Sequence, residues 1–234
     1  LAALWRNRAW RAGVLASCLL GVLIGLPLSS GVYYFTAVIG QPQLIGPFMG
    51  IGGLGLVLGV VLSDQLTRRF CKKRVYVATN IACAVLLLGF LLAGPARLPL
   101  VFALALLSNL ALGVSAPISF SMNGDVADAI ELQSGQRVVG TLVATVNFAS
   151  KVGSGLTSAV VGAVLALTLY QAGAPQQSPE AQQGIVALMS VIPAVVALGV
   201  AALVGRAYPL NRARLARLKA ELAEHRARAA APGV

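Results

Sequence analysis

The chain has 234 residues, of which 58% are hydrophobic and 11% charged, whereas soluble domains carry about a quarter charged residues. Its formal charge is +11, but the Lys and Arg sit in short clusters between long uncharged runs, which excludes a nucleic-acid groove and reads as a membrane topology signal. Cys18, Cys71 and Cys83 are odd in number and unrelated in spacing, so they indicate neither a disulfide framework nor a metal site.

In chain order, a basic start (Arg6, Arg8, Arg11) flanked by Trp5 and Trp10 precedes a stretch with no charge before Asp64. A crossing needs about 20 apolar residues, so this stretch holds two spans, at 13–36 and 44–62, with the Gly40-Gln41-Pro42-Gln43 segment as the turn. Tyr33 and Tyr34 end the first span, where interfacial aromatics belong. The second span pairs Gly46 with Gly50 and Gly55 with Gly59, small residues that let a neighbouring helix approach closely.

After the basic loop Arg68, Arg69, Lys72, Lys73 and Arg74 come spans at 75–93 and 98–122, separated by Gly94-Pro95. An acidic segment with Asp125, Asp128 and Glu131 leads to Arg137, and further spans follow at 138–170 and 184–205. Pro27, Pro117 and Pro193 each interrupt a span and predict kinks. The runs are apolar all round, unlike the alternating strands of a membrane barrel.

The reading is an all-α membrane protein with six transmembrane helices in residues 1–208. A basic tail at 209–234 is expected to be helical, with Leu215, Leu218 and Leu222 on one stripe. The basic segments all fall on one side of a six-span chain, and the opposite loops hold Arg97 alone among basic residues. By the positive-inside rule both termini are then cytoplasmic, in a multi-pass protein of the cell (inner) membrane.

Lys151 carries the functional expectation. A helix entering the membrane near Thr141 brings it about 15 Å inward, roughly the midplane. Asn147, Ser154 and Ser158 lie four before, three after and seven after it, so one face of an apolar helix is polar. Burying that charge without a partner or water costs at least a few kcal/mol, which points to a cavity or to a structural ion pair, and the cavity is favoured.

Asp125 and Asp128, spaced i,i+3, share a face and repel unless a cation such as Arg137 lies between them. They read either as a gate latch or as a solvated loop. The single histidine, His225, lies in the tail and no nucleophile, base and orienting group can be assembled, so an enzyme is not expected.

The residues Asp125, Asp128, Glu131, Gly135, Arg137, Lys151, Gly153 and Gly155 resemble the pattern of the glycoside, pentoside and hexuronide cation symporters, the melibiose-carrier branch of the major facilitator superfamily. The basic loop Leu66-Thr67-Arg68-Arg69-Phe70-Cys71-Lys72-Lys73-Arg74 is similar to that family's loop between helices eight and nine. Tyr208-Pro209-Leu210 is similar to the close of its last span. Cys71 stands where the loop usually has Gly, Val139 where an acidic residue often follows the arginine, and Ser115 and Ala116 where sugar carriers often place an aromatic.

The resemblance implies helices seven to twelve of a twelve-helix carrier, so the chain reads as a fragment. An N-terminal six-helix half would hold the Na⁺ or H⁺ site, with no other cofactor and no bound metal. It implies that Lys151 faces the central cavity, that Asn147 contacts substrate, and that Asp125, Asp128, Glu131 and Arg137 close the cytoplasmic side during alternating access. Membrane lipid, a small solute and the missing half are the expected partners, and nucleic acid is not. The alternatives are a carrier of the same fold for a lysolipid, drug or organic acid, and a six-helix scaffold that transports nothing.

Overall fold

A computed structural model describes residues 8–134, 139–174, 176–208 and 221. Helix α1 spans Arg8–Tyr33 and continues as a π-helical turn, Tyr34–Val38. Gly40, at φ +73°, takes a left-handed conformation open to glycine at no steric penalty. It turns the chain through a 3₁₀ segment, Pro42–Leu44, into α2 at Ile45–Arg69. The fixed φ of Pro42 suits that first turn.

Helix α3 (Lys72–Leu88) tightens into 3₁₀ geometry at Gly89–Leu92, and a second 3₁₀ turn at Pro95–Arg97 starts α4, Leu98–Ser134. Helix α5 is Val139–Leu167, and Leu169 beyond it is left-handed at φ 54°. The sixth hydrophobic run is two helices, α6 at Pro179–Met189 and α7 at Val191–Ala207. Among the described residues six helical stretches are long and apolar enough to cross a bilayer.

The helical limits differ from the expected spans for identifiable reasons. Charges do not end a helix, so α3 begins at Lys72 instead of residue 75, and α4 runs on through the acidic segment. With 37 residues, α4 is about 55 Å long, well beyond a hydrocarbon core of about 30 Å. Asp125 to Glu131 therefore occupy the emergent end. The sixth run begins earlier than expected because the Ser178 hydroxyl caps the Ala181 N–H at 3.2 Å, a favourable start for a helix with Pro at its first position. It breaks at Ser190, whose φ of −121° and ψ of −75° leave the helical region, three residues before Pro193. That proline has no N–H to offer the preceding turn.

Five contacts organise the bundle: α1 lies on α5, α2 on α4, α3 on both α4 and α7, and α1 on α7. The first two are backbone to backbone. A methyl group added at Gly59 would collide with the Leu110 carbonyl oxygen, and one at Gly55 with that of Leu106. In the other pair, Gly21 meets the Ser150 carbonyl and Gly153 that of Cys18.

Small residues at such crossings let the helices gain dispersion contact in a solvent that offers no hydrophobic drive. Gly46 and Gly50, grouped with Gly55 and Gly59 on sequence grounds, instead face open space. Gly59→Ala is therefore expected to lower stability by about 1–3 kcal/mol through overpacking. Gly50→Ala should be neutral or raise it by about 0.5–1 kcal/mol. Thermal melts of the two purified variants check the contrast, and equal behaviour would refute it.

Side-chain packing fills the two ends. Trp10, Tyr76, Ile118, Met122 and Val204 form a core beside the basic loop. Tyr34, Phe35, Phe48 and Phe90 form another at the opposite end, where the Tyr34 hydroxyl donates to the Ala93 carbonyl at 2.7 Å. Helices α2 and α5 are the least buried, exposing Leu54, Val57 and Val61 on one and Phe148, Val152 and Leu156 on the other.

Candidate functional site

Helix α5 packs on α1 through Leu142, Val146, Ala149, Gly153, Thr157 and Val161, a stripe at spacings of three and four. Lys151, Asn147, Ser154 and Ser158 lie off that stripe, and all four are exposed. The Ser154 hydroxyl donates back to the Ser150 carbonyl at 3.1 Å. Lys151 makes no ion pair among the described residues. It stands twelve residues into α5, about 18 Å along the axis. The four candidates thus share an outward face of one helix, away from the interior of this bundle.

A groove of about 220 Å³ opens between α1, α2 and α4, with Pro27, Leu28, Phe48, Met49 and Leu112 among its walls. Asn109 is its one amide side chain. The Asn109 Nδ2 donates to the Ala105 carbonyl at 2.9 Å and its amide reaches toward Gly52. Lys151 does not line this groove. Asn109 was not singled out from the sequence, because α4 carries polar residues on several faces and nothing in it marks which face is open.

At the basic end the structure brings together groups that are distant in sequence. The Lys72 ammonium, from the start of α3, lies 2.9 Å from the Asp125 carboxylate and donates to the Ser121 hydroxyl at 2.7 Å. The Tyr208 hydroxyl donates to the same carboxylate oxygen at 3.2 Å, and Lys73 donates to the Tyr208 carbonyl at 2.9 Å. Asp125 therefore ties together α4, α3 and the residue that ends α7.

Asp125 and Glu131 are buried and Asp128 is half-buried. Asp128 and Glu131 also have interaction partners. Arg137 lies outside the described residues. The cation on Asp125 is Lys72, a residue read from sequence only as part of a charge count. Its 53-residue separation from Asp125 leaves no local signal of the pairing.

Burial, and secondarily the neighbouring Asp125 carboxylate, hold the Tyr208 phenol above its usual range near 10. A raised acid pKa means that the folded state keeps a proton the unfolded chain loses. Stability is then full below pH 10 and falls as pH rises beyond it. Tyr208→Phe should flatten that alkaline decline and cost about 0.5–1.5 kcal/mol at neutral pH for the lost hydrogen bond. Melting temperatures from pH 7 to 11 test this, and an unchanged alkaline slope in the variant would refute it.

Six spanning helices, four of them paired through glycine seams and two, α2 and α5, little buried, make this a multi-pass membrane protein with half of a major facilitator fold. The family model described as MFS/sugar transport protein matches residues 1–212, and the chain belongs to that family, which is one of transporters and not of enzymes. It is 29% identical over 196 residues to the putative glycoside/cation symporter YagG of Escherichia coli K12, covering 84% of this chain and 42% of that protein. It is 27% identical over 236 residues to the inner membrane symporter YicJ of the same organism, covering 96% and 49%. The putative sulfoquinovose importer of Salmonella typhimurium LT2 is 28% identical over 203 residues, covering 86% and 42%. The chain thus spans about half the length of these relatives.

Proposed function

We propose that the chain is the second six-helix half of a cation-coupled symporter for a sugar or glycoside, operating by alternating access. The observation that carries this reading is Lys151: a lone cation about 18 Å along a spanning helix, on an exposed polar face with Asn147, Ser154 and Ser158. A bilayer does not retain such a charge without water, a partner or a solute. The names of the relatives, a glycoside/cation symporter and a sulfoquinovose importer, support the substrate class.

In this reading the solute sits between the two halves near the midplane, against Lys151 and Asn147 on α5 and the Asn109 groove on α4. Na⁺ or H⁺ binds in the other half, and cation and solute together favour the state that can cross over. The basic loops face the cytoplasm of an inner-membrane protein. Asp125, Asp128, Glu131 and Arg137, now with Lys72 and Tyr208, fasten the cytoplasmic end.

A second reading keeps the fold and changes the solute. The groove on α1, α2 and α4 offers one amide against mainly apolar walls, which favours an amphiphile or an organic acid over a bare polyol. Proteoliposomes of the intact carrier, given an inward Na⁺ or H⁺ gradient and a panel of labelled sugars, glycosides, organic acids and lysolipids, separate the two. Gradient-driven uptake of a sugar or glycoside supports the first reading. Uptake confined to the other solutes replaces it with the second, and no uptake under either gradient defeats both.

A further inference from the structure

At the basic end of the bundle, apart from the exposed α5 face, lies a small, partly open pocket lined by α1, α3, α4 and α7. Its volume of about 20 Å³ exceeds the 10–15 Å³ or so that one water needs. Most of the wall is apolar, from Ala12 and Ala16 of α1, Met122 of α4 and Val204 of α7. The polar groups in it are Asn123 and Ser119 of α4, with Tyr76 and Tyr208 alongside.

Asn123 is the anomaly. The residue is 7% exposed, it lines the pocket, and its amide makes no hydrogen bond among the described residues. An amide has two donors and an acceptor to satisfy, and the Tyr76 hydroxyl on the same wall is buried without a hydrogen bond, which is costly unless a guest supplies one. The room in front of it is specific. A methyl group on Gly13 would sit 2.6 Å from Asn123 Oδ1, so a larger residue on α1 would push the amide from its present place. Ser119, one turn before Asn123 on α4, lies beside the Tyr76 hydroxyl and lines the same space.

We infer that this pocket is a binding site for a single water molecule, held by the Asn123 amide and the Ser119 hydroxyl between α1 and α4. A cation is the wrong occupant on charge grounds. Among the described residues no carboxylate lines the pocket, the nearby Asp125 is already engaged by Lys72 and Tyr208, and Lys73 adds positive charge at the Tyr208 carbonyl. A neutral guest that both donates and accepts fits the exposed valences. The water satisfies the Asn123 amide, gives the buried Tyr76 hydroxyl a partner and bridges two helices that make few direct contacts.

Radiolytic hydroxyl labelling of the intact carrier tests this, because a radical formed from a bound water oxidises the side chain beside it. Met122 is 5% exposed but lines the pocket, Met49 is exposed at 37%, and Met189 is fully buried elsewhere. The expected result is Met122 oxidation at a rate near that of Met49, and several-fold slower oxidation of Met122 in Asn123→Leu with Met49 and Met189 unchanged. Gly13→Ala, which pushes the amide from its place, should also slow Met122 if the leucine variant fails to fold. Met122 as inert as Met189 in the native protein, or equally labelled in a folded variant, overturns the assignment. So does labelling suppressed by Na⁺ and not by choline, which would make the occupant a cation.

Discussion

Replacing Lys151 by Leu in the intact carrier is expected to cut gradient-driven accumulation about a hundredfold, the kinetic equivalent of about 2.7 kcal/mol, while the amount of protein in the membrane stays equal or rises. The two directions follow from one fact. A lysine at the centre of a spanning helix disfavours insertion by about 2.5–3.5 kcal/mol, so removing it relieves the bundle. No described residue pairs with the charge, and the α5 stripe that packs on α1 is on another side of the helix. A lysine kept there for structure alone would behave oppositely, with its loss lowering the melting temperature before transport is considered. Solute accumulation, membrane content and melting temperature of the same variant decide the matter. Native accumulation by Lys151→Leu would remove the physical support for the carrier reading.

The second large effect is at the basic end. Asp125→Ala leaves the Lys72 ammonium with Ser121 alone and the Tyr208 hydroxyl without its acceptor. Breaking a fully buried pair costs about 3–5 kcal/mol. The Asp125 side chain is 5% exposed but that of Lys72 is 26% exposed, which lets water reach the stranded ammonium and reduces the expected loss to about 2–3 kcal/mol. For a chain of this size that is a fall of about 4–12 °C in melting temperature.

A double-mutant cycle with Lys72→Ala should return a coupling of about 1–2 kcal/mol, little changed between low and high salt because one partner is shielded from mobile ions. Additive single effects would show that the 2.9 Å contact contributes nothing to holding α3 against α4.

What the sequence made legible follows from what the bilayer forces on it. Runs of about 20 uncharged residues between basic clusters leave little freedom, and six of them give six spanning helices. Lys151 was visible for the same reason: one charge in an apolar helix has no camouflage.

Rotation about a helix axis is another matter. Helix α4 carries polar residues on several faces, so Asn109, Ser115 and Asn123 gave no clue that the first borders the groove, the second meets Thr79 across the α3 contact, and the third lines the pocket at the basic end. The Gly46–Gly50 pair failed similarly, since small residues license a close approach without saying that a partner is there. Lys72 was hidden by abundance, being one of five basic residues in a short loop whose count mattered for topology and whose individual partners depend on tertiary packing.

The glycine seams have a mechanical consequence. Where Gly59 meets the Leu110 carbonyl and Gly153 that of Cys18, main chain rests on main chain with no side-chain rotamers in between to absorb a shift. Each couple, α1 with α5 and α2 with α4, therefore resists shear as a laminated plank does. Flexure is directed instead to the joint between the planks, where α1 and α2 barely touch and Asn109 waits beside the opening.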